Sequence, residues 1–215
     1  QDFLALEENG RLAYQDEDEL IDLPLPRLAG RHQQGNAAAA IRGLKAAGFK
    51  LEERATAEGL LNVSWPGRLE RLTHGRLVEG AMEGVELWID GGHNPGAGKA
   101  IAEAMANLND RDSRPLFLVT GMINTKDPVG YFEAFAGMVR HVFTVPVSDS
   151  EAGLDPEFLA DTADEAGLTA EAAKDVESAI AAICTNWNGL ERPPRILIGG
   201  SLYLLGEVLK FNETP

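Results

Sequence analysis

Short apolar runs alternate with longer amphipathic stretches along most of the chain after Gly67. Short runs that are apolar throughout are typical of buried strands, and the stretches between them have apolar residues at helical spacing. The predicted strands are Val85–Ile89, Leu116–Thr120, Val142–Val145 and Arg195–Ile198, with a weaker one at Thr169–Ala172. The predicted helices are Gly98–Leu108, Val129–Met138, Pro156–Ala166, Val176–Trp187 and Leu202–Phe211. This alternation predicts an α/β fold with a Rossmann-like, mostly parallel sheet and helices on both faces.

The first part of the chain has a different pattern. Its predicted elements are a hairpin of Phe3–Leu6 and Arg11–Tyr14 around Asn9-Gly10, a strand at Leu20–Leu25, and helices at Asn36–Ala47 and Glu52–Leu61. Asn-Gly between apolar runs favours a tight hairpin turn. The breakers Trp65-Pro66-Gly67 then indicate a domain boundary. We therefore expect a small α+β unit before the parallel sheet.

Charge and cysteine content limit the function. The formal net charge is −15 at pH 7, which argues against nucleic acid or an anionic membrane as a partner, because both bind basic surfaces. No apolar run reaches the roughly 18 residues of a membrane span. The single Cys184 cannot form an internal disulfide and is expected in the core, which favours a cytoplasmic location. A small anionic ligand remains allowed, since it needs only a local positive site.

Two glycine-containing loops follow predicted strands and precede predicted helices. They are Asp90-Gly91-Gly92-His93-Asn94-Pro95 and Gly199-Gly200-Ser201. In open α/β sheets, ligands bind at the carboxyl ends of strands, where N–H groups of the next helix can meet an anion. Asp90, His93 and Ser201 are therefore candidate ligand contacts at one edge. Alternatively, these residues serve only the backbone conformation of the loops. Such loops are as common without a ligand, and Ser201 is in any case expected to cap the following helix.

Positive charge is concentrated in one segment of this acidic chain. Between Trp65 and Arg76 there is one acid, Glu70, and the basic side chains are Arg68, Arg71, His74 and Arg76. The segment is a candidate anion site, and a solvated strand face with alternating charges is the alternative. Lys126 lies in a loop after a predicted strand and is a further candidate, although loop lysines are more often only solvated.

Two familiar nucleotide motifs do not fit. Gly92–Lys99 is not a P-loop, because His93 stands where the first glycine is needed and Ala100 replaces the Mg²⁺-binding hydroxyl. Since no Gly-x-Gly-x-x-Gly opens the first βα unit, a dinucleotide oxidoreductase is not predicted. His32 and Asn36 share one helix face if the first turn is already helical, but without a third ligand they predict no metal site.

Five motifs occur in order along the chain. They are Gly30-Arg-His-Gln-x-x-Asn-Ala, Trp65-Pro-Gly-Arg-Leu-Glu, Asp90-Gly-x-His-Asn-Pro, Gly121-Met-x-x-x-Lys-Asp and Gly200-Ser-Leu-Tyr-Leu. From about Leu23 to its end, the sequence therefore resembles the C-terminal half of folylpolyglutamate synthase/dihydrofolate synthase, a branch of the Mur ligase family. One departure is Gly92, where bacterial members usually carry alanine.

The resemblance implies a three-part, ATP-dependent ligase that adds L-glutamate to folate or dihydropteroate through an acyl phosphate. Residues 1–64 would be the tail of its central ATPase domain, and residues 65–215 its C-terminal glutamate ligase domain. Because the chain begins with Gln1 and has no P-loop, we expect the N-terminal ATPase half, with most of the Mg²⁺ ligands, to be missing. The intact enzyme is expected to be a cytoplasmic monomer that uses ATP and Mg²⁺.

Residue roles follow from the same resemblance. Asn36 resembles the family's adenine contact, and His32 a neighbour of the nucleotide. Asp90 resembles the acceptor for the ribose hydroxyls, and Arg68 the arginine that reaches the terminal phosphate.

The resemblance also implies which residues contact glutamate. His93, Ser201 and Lys126 are the candidate glutamate contacts, and Arg68 and His93 the candidate catalytic residues. Two alternatives remain at this point: another Mur-type ligase with a different acceptor, and a non-catalytic nucleotide- or protein-binding module on the same fold.

Overall fold

The computed structural model describes residues 3–213. The chain divides into two compact units between Pro66 and Gly67, slightly after the predicted boundary at residues 64 and 65. The assignment of the first unit to an ATPase domain stays a prediction. Among the described residues, none of the helices is both long and apolar enough to cross a membrane.

The first unit is a three-stranded antiparallel sheet with two helices. Its elements are β1 (Phe3–Glu8), β2 (Arg11–Asp16), β3 (Leu20–Pro24), α1 (His32–Ala46) and α2 (Glu53–Asn62), with strand order β1-β2-β3. Asn9 and Gly10 have φ angles of 52° and 76°, as a two-residue hairpin turn requires. The core of this unit contains Leu12, Tyr14 and Leu23.

Helix α1 begins at His32 and not at the predicted Asn36. Gly30 has a φ of 102°, and the N–H groups of Gln33 and Gln34 donate to the carbonyls of Gly30 and Arg31. The added turn is thus started by backbone bonds, without a side-chain cap at Arg31. Polar residues before the alanine run gave no apolar pattern from which this turn could be predicted.

The second unit contains a six-stranded sheet. Its elements are β4 (Glu70–Leu72), α3 (Arg76–Gly80), β5 (Glu86–Asp90), α4 (Pro95–Arg111), β6 (Leu116–Thr120), α5 (Pro128–Glu133), β7 (Val139–Thr144), α6 (Pro156–Glu165), β8 (Ala170–Ala172), α7 (Val176–Thr185), β9 (Arg195–Gly199) and α8 (Leu202–Glu213). The strand order is β4-β5-β9-β6-β7-β8, and only β4 pairs antiparallel. The predicted α/β fold with a mostly parallel sheet is confirmed.

Both faces of this sheet are covered. Ile89, Ile198 and Val119 belong to one buried cluster with side chains of α7 and α8, while the alternate residue Leu118 is also fully buried. The chain moves across the sheet in one direction from β5 to β8 and then returns to β9. With right-handed crossovers, this reversal places α7 on the face opposite α4, α5 and α6.

Several predictions for this unit were incomplete or wrong. Neither β4 nor α3 was predicted. Helix α5 ends at Glu133 and not at Met138, because the chain then continues in tight turns, with Ala136 N–H donating to the Glu133 carbonyl and Gly137 at a φ of 76°. Cys184, predicted in the core, is only partly buried and packs against it.

Candidate functional site

The carboxyl ends of four parallel strands lie in one row. Asp90 pairs with Gly199, Gly199 with Thr120, and Thr120 with Thr144. The loops that leave three of these strands contain His93, Ser201 and Lys126. The structure therefore brings together at one edge the loops that carry these predicted residues.

The Asp90 carboxylate connects two loops. The side chain is 4% exposed, its Oδ2 accepts from Leu69 N–H at 2.8 Å, and its Oδ1 accepts from Gly92 N–H at 2.6 Å. Gly91 N–H also donates to the Gly67 carbonyl at 3.0 Å. Leu69 has a φ of 45°, a strained conformation for a residue with a branched side chain that these bonds help to maintain. Asp90 thus holds the Arg68 segment against the loop after β5.

Arg68 is the basic residue of its segment that is directed to this edge. Its Nη1 lies 2.9 Å from the position that a Cβ at Gly91 would occupy. The guanidinium forms no ion pair within residues 3–213, whereas Arg71 pairs with Glu86 at 3.3 Å and Arg76 with Glu177 at 3.8 Å. Of these three arginines, Arg68 is therefore the one whose charge is available to an anion.

His93 lies at the start of α4 in one defined orientation. Its Nδ1 is 2.9 Å from the Gly91 carbonyl oxygen, and because a carbonyl only accepts, Nδ1 carries the proton. Nε2 is then left for a ligand. Asn94 caps the helix by accepting from Ala97 N–H at 2.9 Å, followed by Pro95. The capped N-terminus adds a partial positive charge beside the imidazole.

Ser201 is a buried helix cap. It is 2% exposed, and its Oγ accepts from Tyr203 N–H at 3.1 Å. The preceding Gly200 has a φ of 97°, and a Cβ there would lie 2.3 Å from Thr120 Oγ1. Thr120 in turn donates to the Gly199 carbonyl at 2.9 Å. The predicted capping role is present, and the glycine lets the chain turn sharply above β6.

Lys126 lies at the same edge, in the loop between β6 and α5. It is partly buried, its backbone N–H donates to the Ile123 carbonyl at 3.2 Å, and its ammonium group has no partner among the described residues. The N-terminus of α5 lies against that of α4, since a Cβ at Gly130 would be 2.6 Å from Pro95 Cγ. Lys126 therefore belongs to the loops around His93.

His32 and Asn36 lie in the first unit, one helical turn apart on α1. Gln33 connects them: its Nε2 donates to His32 Nε2 at 2.9 Å, and its Oε1 accepts from Asn36 Nδ2 at 3.0 Å. Gln33 is 5% exposed, so a buried side chain holds both His32 and Asn36 in position. Its role was missed, because a glutamine between two polar residues gives no distinctive pattern.

Sequence reasoning also missed Tyr131, which is fully buried on α5. Its hydroxyl lies 3.3 Å from the position of a Cβ at Gly199 and has no hydrogen-bond partner within the described part of the chain. Burial, and then the negative charge of Asp90, raise the pKa of this hydroxyl well above its usual value. The phenol is therefore a protonated donor at the edge where Asp90 and Gly199 meet.

The opposite, amino edge of the sheet carries a cavity of about 660 Å³. Its arginines are engaged in ion pairs, such as Arg195 with Glu86 at 2.7 Å and Arg114 with Asp112 at 2.6 Å. Although burial opposes it, the hydrogen bond from Arg195 lowers the pKa of Glu86 below its ordinary value. We interpret this cluster as part of the fold and not as a ligand site, because its charges are paired with one another.

Gly92 cannot accept a methyl group without a local shift. A Cβ there would lie 2.6 Å from Ile101 Cδ1 and 2.9 Å from both Ala97 Cβ and Asp90 Oδ1. Gly92→Ala should therefore lower the free energy of unfolding by about 1–3 kcal/mol, as overpacking does elsewhere. Denaturant titration of the isolated chain measures this.

Ile101→Val supplies the matched background, because it removes the clashing Cδ1. The penalty of Gly92→Ala should be smaller in Ile101→Val than in the wild-type chain. An equal penalty in both backgrounds would contradict the contact proposed here.

An open, mostly parallel sheet with helix N-termini at its carboxyl edge defines an α/β domain of the kind in which ligands bind at that edge. Residues 67–201 match the family described as Mur ligase, glutamate ligase domain. The chain belongs to this family.

The similar proteins include folate enzymes. Folylpolyglutamate synthase of Lacticaseibacillus casei is 30% identical over 203 residues, covering 92% of this chain and 42% of that protein. A probable bifunctional folylpolyglutamate synthase/dihydropteroate synthase of Halobacterium salinarum is 35% identical over 183 residues, covering 84% and 20%. The structure of Mycobacterium tuberculosis folylpolyglutamate synthase complexed with ADP and AMPPCP has a TM-score of 0.78 and 25% identity, covering 100% of this chain and 48% of that one. The chain spans less than half the length of each.

Proposed function

We propose that this chain is the C-terminal half of an ATP-dependent ligase that adds L-glutamate to folates, to dihydropteroate, or to both. The acceptor carboxylate would first be activated as an acyl phosphate, which the amino group of glutamate then attacks. The observation that carries the proposal is the unpaired guanidinium of Arg68 beside the loop after β5, in a family of glutamate ligases. The ligands of the M. tuberculosis relative, ADP and AMPPCP, support a nucleotide in this family.

Arg68 would act on the phosphoryl group. Transfer to a carboxylate spreads negative charge over the equatorial oxygens of the phosphoryl group. A planar guanidinium can donate to two of these oxygens at once, which a mobile ammonium cannot do with the same geometry. Because no carboxylate of the described residues neutralises Arg68, its full charge would be available as the transition state forms.

His32 and Asn36 would be contacts of the nucleotide, as the resemblance of their motif implies. Asn36 is exposed and oriented by Gln33, as an adenine contact requires, and His32 lies beside it. Asp90 would accept from the ribose hydroxyls, as the resemblance of its motif implies. ATP and Mg²⁺ would be the cofactors. Within residues 3–213, no group of three or more His, Cys, Asp or Glu side chains could hold a metal ion.

The incoming glutamate carries two carboxylates that need positive partners. His93 Nε2, which carries no proton when Nδ1 donates to Gly91, would accept from the amino group of glutamate, and the Lys126 ammonium and the N-terminus of α8 at Ser201 would face its carboxylates. Charge-assisted hydrogen bonds from such groups are stronger than neutral ones, and a helix N-terminus favours an anion. His93 would thus fix the nucleophile near the acyl phosphate.

The proposal is tested on the intact ligase, in which an ATPase half would precede this chain. ADP release should require glutamate together with dihydropteroate or a reduced folate. If a muramoyl peptide is the only acceptor that supports ADP release, the chain belongs to another Mur-type ligase. If no acceptor supports it, a non-catalytic binding module is the better interpretation.

Ser201→Ala should raise the KM for glutamate and leave that for ATP nearly unchanged. The variant should also melt at a lower temperature, because loss of an N-cap costs about 0.5–2 kcal/mol. Steady-state kinetics of the intact ligase and thermal melting of the same variant measure both effects.

Asp175→Ala is the matched control for this variant. Asp175 caps α7 by accepting from Ser178 N–H at 2.7 Å and is assigned no ligand. Its removal should lower the melting temperature with unaltered kinetics. If Ser201→Ala behaves in the same way, Ser201 is a cap and nothing more.

A further inference from the structure

Tyr131 is a buried donor that the fold itself does not use. Its side chain is 0% exposed, and among residues 3–213 its hydroxyl has no hydrogen-bond partner. A buried polar group without a partner destabilises the folded state, so its presence needs an explanation. Phenylalanine would fill the same volume without that penalty.

The surroundings of the ring place the hydroxyl under the ligand-binding edge. The ring lies between α4 and β9, because a Cβ at Gly98 would be 3.2 Å from Tyr131 Cδ2 and a Cβ at Gly199 would be 3.3 Å from the hydroxyl. Gly199 pairs directly with Asp90, and the same hypothetical Cβ at Gly199 would be 2.9 Å from the Asp90 carbonyl oxygen. Phe132 and Phe135 pack around the ring, so its position is fixed.

We propose that Tyr131 is a positioning residue for Asp90. In the ligand-bound state, its hydroxyl donates a hydrogen bond to the Asp90 carboxylate and holds that carboxylate in place for the nucleotide ribose. The inference rests on the proposed function, which assigns the ribose to Asp90. Tyr131 itself does not touch the ligand, because it is completely buried.

The chemistry of the phenol suits this role. Burial, and then the Asp90 charge, raise the pKa of Tyr131, so the hydroxyl keeps its proton throughout the range in which enzymes work. A hydrogen bond to an ionised acceptor is stronger than one between neutral groups. The bond would form only when the bound ligand moves the Asp90 carboxylate towards the hydroxyl, and it therefore favours the bound state.

Tyr131→Phe in the intact ligase tests the inference. The KM for ATP should rise about 3- to 10-fold, as loss of one hydrogen bond predicts, with kcat and the KM for glutamate nearly unchanged. The melting temperature of the ligand-free variant should be equal to or higher than that of the wild type, since an unpaired buried hydroxyl is removed. If Tyr131 only stabilised the fold, Tyr131→Phe would instead lower the melting temperature and leave the KM for ATP unchanged.

Tyr14→Phe is the control. Tyr14 is equally buried, but its hydroxyl donates to Asp16 at 2.9 Å, so its removal should lower the melting temperature and leave the ratio of the two KM values unchanged. An unchanged KM for ATP in Tyr131→Phe, or a parallel rise of both KM values with a lower melting temperature, overturns the inference alone. A wild-type ligase without glutamate-dependent ADP release overturns the proposed function and the inference together.

Discussion

Arg68→Lys should lower the turnover of the intact ligase by on the order of 100-fold or more, while nucleotide affinity changes little. Lysine keeps the positive charge but loses the planar pair of donors. A contact that strengthens as charge develops on the phosphoryl group affects kcat more than ground-state binding. Measurement of kcat together with the dissociation constant of ATP separates the two effects.

Arg71→Lys is the appropriate comparison. Arg71 lies three positions along the same segment, but it pairs with Glu86 at 3.3 Å and has no assigned ligand. Its replacement should leave turnover close to that of the wild type. Wild-type turnover in Arg68→Lys would show that Arg68 is structural and that its assignment by resemblance is wrong.

The isolated 215-residue chain should fold and yet have no ligase activity. Each unit has its own buried core, which is the condition for independent folding. Because the P-loop cradle, its lysine and most of the Mg²⁺ ligands are expected in the other half, the triphosphate would not be held in line with the acceptor carboxylate. Affinity for ATP should also be poor, because the contacts assigned to the triphosphate within this half are limited to Arg68.

Circular dichroism, calorimetric titration with ATP and Mg²⁺, and a glutamate-dependent phosphate-release assay test these three statements on the chain alone. A cooperative melt with neither tight ATP binding nor phosphate release is the expected result. Tight binding, or release above the buffer control, would show that the catalytic machinery lies in this half after all.

The parallel strands were predictable because a strand that is buried on both faces consists mainly of apolar residues. Leu116–Thr120 has the predicted bounds, since every residue of that run is buried. Strand β4 has no such signal. Its residues are Glu70, Arg71 and Leu72, of which only Leu72 is buried, and it is a strand because it pairs with the edge of β5. Long-range pairing of this kind does not follow from a local pattern.

The sequence predicted which loops form the candidate site, but not the contacts of the side chains within it. Strand ends and glycines indicated that Asp90 and Ser201 would share an edge, and the register of β5 and β9 accounts for it. The ion pair between Arg71 and Glu86 could not be predicted, because it forms only when β4 lies beside β5. The hydroxyl of Tyr131 could not be located either, since an aromatic residue in an apolar helix is equally consistent with simple packing.

The two backbone bonds to Asp90 also affect how its presence is interpreted across the family. Asparagine has a single acceptor oxygen in its side chain, so Asp90→Asn would leave either the Leu69 or the Gly92 N–H facing an amide donor. Folding alone thus selects for a carboxylate at this position. An aspartate at this position in a related chain would therefore be explained by the architecture of the two loops alone, whether or not that chain is an enzyme.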